Sequence, residues 1–240
     1  MDIQKLYSYV RRAISDYDMI KEGDNVAVGI SGGKDSLTLL YALAGLRNFY
    51  PKHFSLQAVT VSLGYKEMNF EEIYELCAKL NVPYTVIDTK IYDILNAHDN
   101  GKPFCSLCAR LRRGALKNAM TELGCNRLAY AHHMDDVIET ALLSLLYEGQ
   151  FYCFPPVTHQ DLFTVIRPMI YLPESMVKGF ANKYSLPVVS NPCPYDNNSR
   201  RSDMKEMITN LHKTNTNYKK NIFHAVTLTE EWAACRYGNL

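Results

Sequence analysis

Three groups of residues in this 240-residue chain have types and spacing that could do chemistry. They are a glycine-rich loop at 31–36, a histidine- and acid-bearing stretch at 131–136, and the cysteines 105, 108 and 193. The loop reads Ser31-Gly32-Gly33-Lys34-Asp35-Ser36. It follows an apolar run at 25–30 and leads at once into Leu37, Leu40, Leu43 and Leu46 at helical spacing. A helix start presents unpaired backbone N–H groups and the positive end of the dipole, which suit an anion. Gly32 and Gly33 admit backbone conformations closed to other residues and let a phosphate come close. Lys34 adds a point charge, and the Ser31 and Ser36 hydroxyls add donors. The plainer alternative is a glycine turn capping a helix, with Asp35 as a favourable first-turn acid. A Walker loop is excluded, because Val28 stands where its first glycine must be and Asp35 where its Ser or Thr must follow the lysine.

The second group, Ala131-His132-His133-Met134-Asp135-Asp136, follows a short apolar strand and opens another helix. Asp135 there could hold Mg²⁺ or meet the reacting end of a nucleotide, with Asp136 in support. Helix capping by the acids is the alternative. Adjacent histidines do not share a helix face, which argues against a zinc pair. The third group begins with Cys105-Ser106-Leu107-Cys108 at a helix start, followed by Arg110, Arg112 and Arg113. The arginines and the dipole are expected to lower the thiol pKa values. A redox pair, a zinc site and an iron–sulfur cluster all use such spacing. Only one such pair exists, whereas a structural zinc site usually takes two. Cys193 sits between Pro192 and Pro194, which stiffen its loop.

These groups need a scaffold, and the hydrophobic pattern supplies one. Short β-rich runs at 25–30, 55–62, 84–87, 127–131 and 164–166 alternate with helical stretches at 35–48, 69–80, 105–123, 135–147 and 174–184. Strands alternating with helices imply parallel βαβ units, hence an α/β, doubly wound and mostly parallel sheet. Ligands then bind beyond the carboxyl ends of the strands. Turn formers crowd 190–201, and the remainder, 202–237, reads as an amphipathic helical addition.

Composition narrows the class. The chain is 47% hydrophobic, enough for a well-packed core, and carries a formal charge of +1, so nucleic-acid contact must come from a local patch. Arg110, Arg112, Arg113, Arg200, Arg201 and Lys205 are the candidates. The polar first residues lack a signal-peptide core, and no apolar run reaches the roughly 18 residues of a bilayer span. A cytoplasmic setting without membrane contact is expected, where the seven cysteines stay reduced.

At these motifs a family becomes recognisable. Ser31-Gly32-Gly33-Lys34-Asp35-Ser36 resembles the PP-loop of ATP pyrophosphatases. The order of Cys105, Cys108, the 131–136 stretch and Cys193 resembles the tRNA 2-thiocytidine synthetase (TtcA) family over about residues 20–210. The resemblance implies a PP-loop domain at 1–190, with a cysteine-bearing loop and helices at 191–240. It implies that ATP, held by residues 31–36 with Mg²⁺, adenylates the C2 oxygen of a cytidine at tRNA position 32. Sulfur carried by a 4Fe-4S cluster on Cys105, Cys108 and Cys193 would then replace that oxygen. Asp135, Arg112 and Lys34 would serve catalysis, although Arg112 reads equally as part of a solvated helix face. A sulfur donor (a cysteine desulfurase or sulfide) and a homodimer are implied as well. The alternatives are an ATP pyrophosphatase with another base or a small acceptor, and a non-catalytic nucleotide or metal sensor.

Overall fold

A computed structural model describes residues 1–65, 68–97, 105–190, 192–193 and 200–237. Six strands form one sheet: β1 (Asp24–Gly29), β2 (Phe54–Ser62), β3 (Tyr84–Asp88), β4 (Arg127–Ala129), β5 (Val157–His159) and β6 (Thr164–Ile166). Their order is β3-β2-β1-β4-β6-β5. Every pairing is parallel except that of β5 with β6. The chain moves outward from β1 to β3, then crosses back to place β4 on the other side of β1. That reversal opens a crevice between the carboxyl ends of β1 and β4.

The helices are α1 (Ile3–Asp16), α2 (Lys34–Leu46), α3 (Glu71–Lys79), α4 (Ile91–Ala97), α5 (Cys105–Glu122), α6 (Met134–Leu143), α7 (Glu174–Lys183), α8 (Arg200–Thr214), α9 (Tyr218–Thr227) and α10 (Glu230–Tyr237). Strand alternation sorts them between the two faces of the sheet. Val26, Val28, Leu56, Ala58, Ala129 and Ile166 share a core with α1, α2, α3, α6 and α7. Ala27, Val59, Leu128 and Val165 point the other way, onto Leu116, Ala119 and Met120 of α5. The cysteine-bearing helix therefore packs on this second face, with its early turns at the ligand end.

Helix α4 and the edge strand β5 have no counterpart in the sequence reading, and three further elements differ from it. Helix α1 buries Leu6, Val10, Ala13 and Ile14 as a narrow stripe in an otherwise polar segment, and Asp2 caps it by accepting from the Lys5 amide at 2.9 Å. The helix expected at 135–147 ends at Leu143 and passes into a π-helical turn, Ser144–Glu148. The Ser144 hydroxyl accepts from the Tyr152 amide at 2.8 Å and lies 2.9 Å from the Gln150 carbonyl, which draws the chain out of α geometry. The 202–237 stretch is three helices. Met204 and Ile208 of α8 and Tyr218 of α9 pack on Ile138 and Leu142 of α6, and Trp232 of α10 lies fully buried beside Tyr17 and Phe223. Among the described residues, no helix is long and apolar enough to cross a membrane.

Candidate active site

The strand-to-helix turn after β1 is braced from within. The Ser36 hydroxyl donates to the Gly33 carbonyl at 2.9 Å, and the Ser31 amide donates to Ser36 Oγ at 3.2 Å. Gly32 has φ +82°, the left-handed region that a side chain resists, and its Cβ position lies 3.2 Å from Val189. Gly33 is the N-cap of α2 and makes no side-chain capping bond, which leaves the first amides of α2 for a ligand.

This turn forms one wall of a cleft of about 490 Å³ at the β1/β4 switch point. That is within the usual size of small-molecule sites. Ser31, Asp35 and Ser36 line it from the loop, Val59 and Val61 from the end of β2, and Ala109, Arg112, Arg113 and Leu116 from α5. Tyr130, Ala131 and His132 close it from the turn after β4, and Asp136 from the first turn of α6. Arg112 thus stands at the cleft and is exposed to it rather than to bulk solvent alone. Asp35 Oδ1 is buried and makes no hydrogen bond, with His133 Nε2 3.8 Å away beyond hydrogen-bond reach, so this carboxylate oxygen is of the kind that a hard cation satisfies.

Lys34 and Asp135 are placed differently from those lining residues. Lys34 Nζ bonds Glu174 Oε1 at 3.0 Å and Asp35 Oδ2 at 3.1 Å. Burial lowers its pKa, but Asp35 and Glu174 outweigh this and hold it above the ordinary lysine value. For Glu174 burial raises the pKa, and Lys34 and Lys205 together carry it below the usual carboxylate value. Asp135 is buried. It accepts from Lys219 of α9 at 2.5 Å and from the Glu174 amide at 2.6 Å. His133 and Asp136 form a capping box on α6: the His133 amide donates to Asp136 Oδ2 at 2.8 Å, and the Asp136 amide to His133 Nδ1 at 3.3 Å.

The three cysteines influence one another electrostatically, and two of them lie on the first turn of α5, the helix that lines this cleft further along. Cys108 feels both Cys105 and Cys193 electrostatically, and the Tyr65 hydroxyl hydrogen-bonds Cys193. Burial, followed by the two neighbouring thiols, pushes Tyr65 up to about 12. The Val189 amide donates to the Gly32 carbonyl at 3.0 Å, so Cys193, four residues on, lies within about 14 Å of that point along an extended chain. The expectation of lowered thiol pKa values is corrected at Cys108. Burial raises its pKa, and the two other thiols add to that, against a single lowering charge from Arg112. Asn191 and residues 194–199 of the expected loop lie outside the described residues, while Arg200 and Arg201 open α8.

Among the described residues, no three His, Cys, Asp or Glu side chains converge as a single-ion site, whose sulfurs must sit about 2.3 Å from one atom. Metal binding at the three cysteines would offset the mutual repulsion of their thiolates.

A family model described as the PP-loop domain matches residues 4–212. The chain belongs to the PP-loop family. This PP-loop protein is 37% identical over 228 residues to a tRNA-cytidine(32) 2-sulfurtransferase of Geobacter sulfurreducens, covering 93% of this chain and 89% of that one. A protein of the same name from Citrifermentans bemidjiense gives the same identity and coverage. Among solved structures it is similar to the U34-tRNA thiolase NcsA of Methanococcus maripaludis with its [4Fe-4S] cluster. There the TM-score is 0.76 at 27% identity, covering 93% of this chain and 76% of that one.

Sequence reading of this PP-loop protein missed Glu174, Tyr65 and Arg167. Pro173 before Glu174 and the strand end before Arg167 were signals for helix start and sheet edge, but neither names a partner. Arg167 is 8% exposed and donates through Nε to His132 Nδ1 at 3.2 Å. Burial lowers its pKa from the ordinary arginine value.

Proposed function

We propose that this protein is an ATP-dependent tRNA sulfurtransferase acting in the cytoplasm on the C2 oxygen of cytidine 32, the position in its relatives' name. The carrying observation is that α5 serves two sites at once. Its first turn bears Cys105 and Cys108, and a turn later Arg112 lines the cleft bounded by the phosphate loop.

The loop amides and the Ser31 and Ser36 hydroxyls hold the polyphosphate, and Asp35 offers its orphan oxygen to Mg²⁺. The base oxygen attacks the α-phosphorus and pyrophosphate leaves. Arg112 faces the charge that develops on the α-phosphate. A sulfur nucleophile then adds at C2, and AMP departs with the original oxygen. Cys105, Cys108 and Cys193 would hold a 4Fe-4S cluster, which when bound supplies sulfide at that carbon. Asp135 supports the start of α6 through Lys219 and the Glu174 amide. Sulfur enters from a cysteine desulfurase or free sulfide, and the working form is a homodimer.

Nucleoside analysis of tRNA from a strain lacking the protein tests this reading. Loss of 2-thiocytidine, restored by the wild-type chain, is the expected result. Unchanged 2-thiocytidine would assign the adenylation to another acceptor.

A further inference from the structure

Arg167 is a buried cation that the phosphate loop does not touch. It follows β6 directly, and its guanidinium is directed at neutral acceptors. Nη1 donates to the Pro155 carbonyl at 2.7 Å and to Thr158 Oγ1 at 3.0 Å, and the planar group lies 4.9 Å from the centre of the Phe154 ring. A further bond, from Nε to His132 Nδ1 at 3.2 Å, has a chemical consequence. Arginine does not deprotonate in proteins, so Nε is always the donor. His132 Nδ1 must then be the acceptor and carries no proton. In a neutral imidazole the proton is therefore on Nε2. An imidazolium would set N–H against N–H and one positive charge against another, losing the bond and adding repulsion.

The ring is also fixed in orientation. It lies over Phe154 with centroids 4.6 Å apart and planes 32° from parallel, and 5.7 Å from Tyr130. His132 lines the same cleft as Ser31, Ser36 and Arg112. We infer that Arg167 holds His132 as a neutral imidazole protonated at Nε2, which makes His132 a fixed hydrogen-bond donor to a phosphate oxygen of the nucleotide in the cleft. The inference rests on the nucleotide reading of that cleft and assigns Arg167 as a positioning residue. It also removes His132 as a general base, because Nδ1 is engaged by Arg167 and Nε2 already holds the proton. A neutral donor suits a wall that already carries the charges of Arg112 and Arg113.

Imidazole tautomers are read directly by long-range proton–nitrogen correlation on the full-length ¹⁵N-labelled chain, with the His132 signals assigned by their loss in His132→Gln. At neutral pH we expect Nδ1 in the unprotonated range and Nε2 in the protonated range. Binding of α,β-methylene ATP with Mg²⁺, followed by its ³¹P shifts, should move the Nε2 proton downfield. An Nδ1-protonated ring, an imidazolium, or an unmoved Nε2 proton with the analogue bound would overturn the inference. In Arg167→Gln the wild-type tautomer preference should be lost; its survival there would remove Arg167 as the cause. In steady-state turnover, His132→Phe keeps the stacked ring without a donor and should raise the KM for ATP roughly 10- to 100-fold, with a smaller change in kcat. His132→Gln keeps a donor amide and should raise it less, by roughly threefold. Equal increases in the two variants would contradict a donor role. The tautomer is measured without turnover, so failure to bind or cleave ATP would sink the nucleotide reading and still leave the Arg167–His132 result on record.

Discussion

Lys34 and Glu174 make the residue-scale case. A lysine in a phosphate loop is expected to face its anion, yet here Nζ is shared between Glu174 and Asp35 at 3.0 and 3.1 Å. Polyphosphate must compete with those carboxylates for the ammonium. Two substitutions should therefore shift affinity in opposite directions. Lys34→Ala removes a charge-assisted contact and should weaken MgATP binding by about 1.5–3 kcal/mol. Glu174→Gln removes a competing anion and should tighten binding severalfold. Calorimetric titration of each variant checks this, and weaker binding in both would mean that Glu174 positions the lysine rather than opposing its ligand. The same pair sets a pH limit. The pKa of Glu174 is depressed on folding, so its contribution to stability is present above its unfolded value of about 4.3 and lost as pH falls through the folded value. Lys34 is raised, so its contribution holds below about 10.4 and is lost as pH climbs through its folded value. Acid unfolding curves of Glu174→Gln should fall less steeply below about pH 4.5 than those of the wild type, which loses the Glu174 contribution in addition to that of other depressed carboxylates such as Asp18.

At the scale of elements, the question is how the C-terminal helices bear on a site built from β1 and β4. Helix α9 answers through Lys219, whose ammonium meets the buried Asp135 carboxylate at the start of α6. Lys219→Met keeps the stem and deletes the charge. It leaves a buried carboxylate with the Glu174 amide as its remaining bond here, at a cost of about 1–3 kcal/mol. Urea titration should show the lower midpoint with an unchanged slope. Elements like these also mark what sequence can carry. The phosphate loop was legible because its conditions are local: an apolar strand, two glycines and a leucine-spaced helix within about twenty residues. The β6 strand at Thr164–Ile166 and α7 were legible for the same reason. Helix α1 was not, because its four buried positions are spaced among charged ones and gain meaning only against α2 and the sheet. Glu174 reaches Lys34 across 140 positions and Arg167 reaches His132 across 35, and no spacing rule connects residues that far apart. The thiol pKa was misjudged in the same way. The arginines adjoining Cys108 were visible, while the burial that outweighs them was created by the fold.

At the scale of the whole molecule, one topological fact brings two chemistries together. Reversal of strand order between β1 and β4 opens the cleft, and α5 must cross the sheet face to make that reversal. The helix that completes the nucleotide cleft is for this reason the one that carries two of the three thiols. Cys193 joins them on a segment tied to the phosphate loop through Val189 and Gly32. Adenylation and sulfur delivery are then separate tasks of one crevice, and they should separate under substitution. The decisive measurement is a single turnover with unmodified tRNA and MgATP. Protein reconstituted anaerobically with iron and sulfide is compared with Cys193→Ser treated identically, and pyrophosphate and 2-thiocytidine are both quantified. The account predicts that wild type yields both products, and that Cys193→Ser still releases pyrophosphate but forms no 2-thiocytidine. Thiolation at the wild-type level in Cys193→Ser, or 2-thiocytidine formed without ATP, would contradict it.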